Sequence, residues 1–314
     1  MARAEQDAGR DCKVGVLLPT IEGGMARETP RWADLAAMAR RAEEIGFDSL
    51  WIVDHFYYHM PRREEQAGVW EGWSILAALA AITTRVELGT LVLCTAFRNP
   101  ALLAKMADTV EEISDGRLIL GIGAGWNEYE FRAFGYPFDH RVSRFAEALT
   151  IIHGLLKGGR VDFSGTYHEA RDCELRPRGP RPGGPPIMIG SSSPRMLELT
   201  ARYADQWNIF HTAPEIVAER RETVDAACRE AGRDPATLTR TASVRVNLLG
   251  RQSKQGATNP PLGGTPGEIA AGLHAYRRAG ATHLQIIPDP STLAGIEALA
   301  PVLEAFDGEA SGTS

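Results

Sequence analysis

The sequence predicts one (β/α)8 barrel of the TIM type, with insertions. Three observations carry this. Eight short apolar runs are each followed by a helical pattern. The length of 314 residues suits one large barrel plus extra loops. No shift in composition marks a domain break. Apolar strands alternating with amphipathic helices imply a parallel sheet covered by helices.

The elements follow in order. Lys13 to Leu18 (KVGVLL) is an apolar run stopped by Pro19, which suits a buried strand. Arg31 to Ile45 repeats apolar residues at helical spacing, and Gly46 supplies a stop. Phe47 to Val53 is the second strand and Glu71 to Thr83 an Ala- and Leu-rich helix. Val86 to Leu93 is the third strand. Pro100 to Ile113 is the third helix, with Asn99 as its cap and Pro100 at the first helical position. Arg117 to Ile122 is the fourth strand and Val142 to Leu156 the fourth helix. Gly158 to Glu169 reads as a hairpin, and residues 177–186 as a loop too rich in Pro for any regular element. Pro186 to Ile189, Gln206 to Phe210, Thr239 to Leu249 and Thr282 to Ile287 are the remaining strands. Their helices are Pro194 to Tyr203, Pro214 to Ala231, Pro266 to Ala279 and Ser291 to Phe306. The barrel therefore occupies residues 13–306. Residues 1–12 read as a disordered lead and 307–314 as a disordered tail.

Composition narrows the function. The formal net charge of -6 argues against nucleic acid, which needs clustered positive charge. Cysteines 12, 94, 173 and 228 form no CxxC pair and no zinc spacing. They fit a reducing cytoplasm. No apolar run is long enough for a membrane span, and the N-terminus lacks the apolar core of a signal peptide.

In a barrel, function sits at the C-terminal ends of the strands. Gly190-Ser191-Ser192-Ser193 joins a strand to a helix that starts at Pro194. Small residues there let open N–H groups and the helix dipole face an anion; an ordinary Ser-rich cap reads equally well. Gly121-Ile122-Gly123-Ala124-Gly125-Trp126 lacks the third glycine of a dinucleotide fingerprint, so a tight turn against a ligand is the better reading. Asp54-His55 closes the second strand, and histidine exchanges protons near neutral pH. His59 lies four residues on, but no carboxylate or Cys cluster completes a metal site. Glu71 lies between Trp70 and Trp73; it is either an acid raised by an apolar pocket or a first-turn helix carboxylate. Tyr57, Trp126 and Trp207 can line a flat ligand or simply pack. Neither G-x-S-x-G nor GxxxxGK[ST] occurs.

Three stretches carry a resemblance: GFDSLWIVDHF at 46–56, LGTLVLCTAFRNPALLAKMADTVEEISDGRLILGIGAGW at 88–126, and PPIMIGSSSPRMLELTARYADQWN at 185–208. Together they resemble the bacterial luciferase-like monooxygenase superfamily, and within it the deazaflavin-dependent oxidoreductases. The resemblance implies a luciferase-like barrel with a flavin or deazaflavin across its C-terminal mouth. It implies a non-prolyl cis peptide at Leu91–Val92 beneath the ring system, a ring contact at Asp54 and a reaction face at His55. Gly190, Ser191, Ser192 and Ser193 match the phosphate loop; Ala124, Gly125 and Trp126 match a second cofactor turn. The segments VDHF and WEGW are similar to the deazaflavin subgroup. The implied function is hydride transfer between coenzyme F420 and a small organic substrate, with His55 and Glu71 as proton carriers. The alternatives are an FMN-dependent monooxygenase with a separate reductase, and a non-catalytic flavin-binding protein. Relatives are often homodimers, so a homodimer is expected.

Overall fold

The computed structural model describes residues 10–58, 66–210, 212–249 and 259–310. Eight parallel strands form the barrel: β1 (Lys13–Leu17), β2 (Ser49–Ile52), β3 (Glu87–Thr90), β4 (Leu118–Gly123), β5 (Ile187–Gly190), β6 (Gln206–Ile209), β7 (Thr239–Asn247) and β8 (His283–Asp289). Each pairs with the next in sequence, and β8 returns to β1 with Lys13 opposite His283. The circle is therefore closed and leaves no barrel edge.

The helices are α1 (Trp32–Glu44), α2 (Gly72–Ile82), α3 (Pro100–Ile113), α4 (Arg141–Gly158), α5 (Pro194–Tyr203), α6 (Pro214–Glu230) and α7 (Pro266–Arg278). The last position holds two pieces, α8 (Leu293–Ala298) and α9 (Ala300–Ala310). Local chemistry starts them as expected. Asn99 accepts from the N–H groups of Ala101 and Leu102, with Pro100 following. Thr265 and Glu268 form a reciprocal capping box on α7.

The lower lumen is filled by side chains. Trp51 is fully buried and its indole N–H donates to Ser49 Oγ at 2.7 Å; that hydroxyl lies 2.7 Å from His283 Nε2. Trp51 fits because β1 and β3 present glycines to it. A Cβ on Gly15 would stand 2.5 Å from Trp51 Nε1, and one on Gly89 2.1 Å from its ring. Burial pushes His283 down to about 3, helped by Lys13, so it sits neutral in the plug. Higher up, Asn208 Nδ2 donates to Thr241 Oγ1 and to Gln285 Oε1 at 2.8 and 3.0 Å.

Several expectations shift at their edges. The third strand breaks after Thr90 and resumes at Leu93–Cys94. A short helix, Glu128–Phe134, precedes α4 and ends at Gly135 in the left-handed region (φ 76°). The hairpin lies at Arg160–Ser164 and Glu169–Glu174, slightly later than predicted, because α4 runs on to Gly158. The proposed lead and tail are in part built into the fold: Arg10 pairs with Asp48 and with Asp307, and α9 continues to Ala310. The rest of both, residues 1–9 and 311–314, lies outside the described residues, as do His59 and residues 250–258 between β7 and α7. Among the described residues, no helix is long and apolar enough to cross a membrane.

Candidate active site

At the C-terminal mouth lies a cavity of about 850 Å³, within the range of small-molecule sites. Its lining brings together Asp54, His55, Leu91, Val92, Ala124, Gly125, Trp126, Gly190, Ser191 and Ser192. Of the predicted residues, Glu71 and Ser193 are not among its lining.

The floor is shaped by the interruption after β3. The Leu91–Val92 peptide is cis, at the position the resemblance implies. Val92 leans toward the ends of β4 and β5, and a Cβ on Gly123 would stand 3.0 Å from its Cγ2. The turn after β4 also needs glycine. Gly125 has φ +75°, and a Cβ there would meet Cys94 Sγ at 2.6 Å and the Phe131 ring at 2.7 Å. Burial pushes the Cys94 thiol up to about 12, which keeps it protonated and without nucleophilic character.

One wall carries a proton-handling pair. His55 follows β2, and its Nδ1 lies 2.7 Å from Glu130 Oε1. Glu130 sits on the short helix after β4 and its side chain is only 2% exposed. The same carboxylate oxygen accepts from the Tyr57 N–H at 3.2 Å. This bonding fixes the imidazole and leaves Nε2 as the nitrogen without a hydrogen-bond partner among the described residues. Trp126 and Tyr58 stand edge-on to the imidazole, at 5.6 and 5.3 Å between centroids. Glu130 was missed in the sequence. Its only local signal is a carboxylate in an aromatic seven-residue segment, EYEFRAF, directly after a strand-end turn.

Two of the predicted residues are engaged with Arg98. Glu71 is the N-cap of α2, accepting from the Trp73 and Ser74 N–H groups, and it pairs with Arg98. Burial alone would raise its pKa, but the bonds from Ser74 and the Arg98 guanidinium outweigh that and hold the carboxyl below its ordinary value. It is an ionised cap, not a raised acid. Asp54 borders the cavity, yet its carboxylate is committed: Arg98 grips it with two bonds of 2.8 and 2.9 Å and the Cys94 N–H donates at 2.9 Å. It therefore ties the end of β2 to the segment beyond the cis peptide.

The opposite rim is small and open. Ser193 is the N-cap residue of α5, and Pro194 begins the helix. Ser191 holds the loop, accepting the Trp207 indole N–H on its carbonyl at 2.8 Å. The first-turn N–H groups of α5 have no intrahelical partner by geometry. Gly190 to Ser192 thus present small residues to the cavity, next to the first turn of α5. The residues present fit a flat tricyclic ring over the Leu91–Val92 segment and an anionic arm at α5. Among the described residues, no group of three His, Cys, Asp or Glu could hold a metal.

Comparison with known proteins agrees with this geometry. The chain belongs to the luciferase-like monooxygenase family, whose model matches residues 12–254. It is 32% identical over 219 residues to 5,10-methylenetetrahydromethanopterin reductase of Archaeoglobus fulgidus, covering 69% of this chain and 61% of that protein. It is 36% identical over 178 residues to F420-dependent glucose-6-phosphate dehydrogenase of Amycolatopsis mediterranei, covering 55% and 51%. The matches thus span about half to three fifths of these relatives' length. An F420-dependent secondary alcohol dehydrogenase, solved with an F420-acetone adduct, superposes with a TM-score of 0.80 at 21% identity, over 94% of this chain and 99% of that one. This last likeness establishes the fold.

Proposed function

We propose that this protein is an oxidoreductase that binds coenzyme F420 across the barrel mouth and moves a hydride between it and a small organic substrate. The observation that carries this reading is the His55–Glu130 pair, lining the same cavity as the Leu91–Val92 segment. A bound deazaflavin supplies a carbon that takes or gives a hydride. Hydride transfer to or from an alcohol or carbonyl carbon leaves a proton to be moved at the oxygen. His55 Nε2 holds that proton, and Glu130, bonded to Nδ1, orients the ring. Leu91, Val92, Ala124 and Gly125 form the surface for the ring system, while Ser191, Ser192 and the N-terminus of α5 receive the phosphate. Trp126 and Tyr58 shield the imidazole from water. A storage protein would need no oriented proton carrier, so the pair weighs against that alternative. The names of two similar proteins, both F420-dependent dehydrogenases, favour F420 over FMN.

We further propose a homodimer in the cytoplasm, with the chain acting as one barrel domain. Leu102 and Ile113 on α3, about half exposed, offer apolar contact surface, and four free cysteines suit a reducing compartment. Titration with F420 and with FMN, followed by absorbance and fluorescence, tests the cofactor. F420 is expected to bind more tightly. Tight FMN binding without F420 binding would favour the monooxygenase.

A further inference from the structure

The site described so far uses the β2–β5 side of the mouth. The wall from β6 to β8 holds a different set of groups. Three arginines line the cavity: Arg141, Arg220 and Arg245. Arg141 is engaged, donating to the Gly125 carbonyl at 2.8 Å and covering the Phe138 ring at 4.1 Å. Arg220, on α6, and Arg245, on β7, are both exposed, and neither pairs with a carboxylate among the described residues. This contrasts with Arg98, gripped by Asp54 and Glu71.

The placement of Arg245 follows from strand alternation. On β7, Ala242, Val244 and Val246 are buried in the hydrophobic core. Thr241 and Ser243 face the lumen, where they meet Asn208 and Gln285. Arg245 continues that lumen row upward into the cavity. Lumen positions of such barrels are usually filled by branched apolar residues; a guanidinium there costs desolvation unless it meets solvent or an anion. The two lining carboxylates offer no counter-charge, because Asp54 is held by Arg98 and Glu130 by His55. The cavity is therefore cationic on a chain of net charge -6, and such local fields attract anionic ligands.

We propose that Arg245 and Arg220 form a specificity site for a carboxylate or phosphate carried by the substrate. In an eight-stranded circle β7 lies across from β3, so an anion held there would leave the rest of the substrate over the Leu91–Val92 segment, within the span between Arg245 and His55. The cofactor's own phosphate has a separate berth at Ser191, Ser192 and α5. Guanidinium groups suit carboxylate and phosphate through paired N–H donors. The inference rests on the reading of the mouth as a substrate site.

The test uses phenyl phosphate as probe and phenol as its uncharged counterpart, with calorimetric titration of the whole protein, free and loaded with F420. Phenyl phosphate is expected to bind at least tenfold more tightly than phenol. Arg245→Gln, and more so the double variant with Arg220→Gln, should remove that preference, while Arg245→Lys keeps part of it. F420 affinity should stay within about twofold and the unfolding temperature should not move, since both side chains are exposed and neither pairs with a carboxylate among the described residues. Equal phenyl phosphate binding by the wild type and the double variant overturns the proposal. So does a tenfold loss of F420 affinity with unchanged binding of the ring-bearing cofactor fragment lacking phosphate and tail, which would assign the arginines to the cofactor. If the free protein binds phenyl phosphate through the arginines but never binds F420, the anion site stands and only the cofactor assignment fails.

Discussion

The two ends of the barrel lumen differ in how their polar groups are satisfied. At the lower end, Trp51, Ser49 and His283 are buried and bond one another. At the mouth, His55 keeps one nitrogen free and Arg220 and Arg245 have no carboxylate partner among the described residues. Buried polar groups without partners are costly, so the closed plug holds the strands in register. Groups left open at the mouth are affordable only because solvent or a ligand reaches them. One lumen thus separates stability from chemistry along its axis.

Breaking the mouth should affect turnover and spare stability. His55→Ala should lower turnover by about 10²–10⁴-fold, the usual range for a proton-transferring side chain, with cofactor affinity nearly intact; steady-state kinetics beside an F420 titration reads both. Unchanged turnover would remove His55 from the mechanism. Glu130→Gln keeps the shape but not the charge. It should cost up to about 100-fold in kcat with KM nearly unchanged, as for a group misplaced by about 1 Å. A purely structural Glu130 would leave kcat per folded molecule where it was.

Breaking the plug should do the reverse. Gly89→Ala drives a Cβ into the Trp51 ring and should lower stability by about 1–3 kcal/mol, read by urea unfolding. Turnover per folded molecule should hold. His283 gives a pH signature. Its folded value lies near 3 and its unfolded value near 6.5. Between these, the unfolded chain binds a proton that the folded chain does not. Stability should therefore be full above about pH 6.5 and fall with decreasing pH, at most about 1.4 kcal/mol per unit from this group. His283→Asn should flatten that part of the slope between pH 7 and 5; identical slopes would show that the plug does not exclude the proton.

The smallest effect tests the border between the two regions. Glu71→Ala removes a helix cap and an Arg98 contact, so about 1 kcal/mol of stability should go. If turnover fell as far as in His55→Ala, Glu71 would return as an acid.

Much of this was legible in the chain. The Asn99–Pro100 start of α3, the glycine stops and the apolar runs are local signals, and the strands lie within a few residues of their expected places. His55, Leu91, Val92 and Gly190 to Ser192 reached the mouth because strand ends in this fold converge there. The short helix at Glu128–Phe134 was not legible, since seven residues give too little periodicity. The choice between the two readings of Glu71 was not legible, because its neighbours in sequence are tryptophans, whereas its neighbour in space is Arg98, 27 positions on.

The sequence alone determined the barrel, because strand and helix periodicity are properties of a few adjacent residues repeated eight times. Only the tertiary structure decided which charges act. Closure of the barrel sets Glu130 against His55 across 75 positions and ties Asp54 to Arg98 across 44, while Arg220 and Arg245 gain no such partner among the described residues. Whether a charged group is spent or free depends on what folding brings within about 3 Å of it, and no local pattern records that distance.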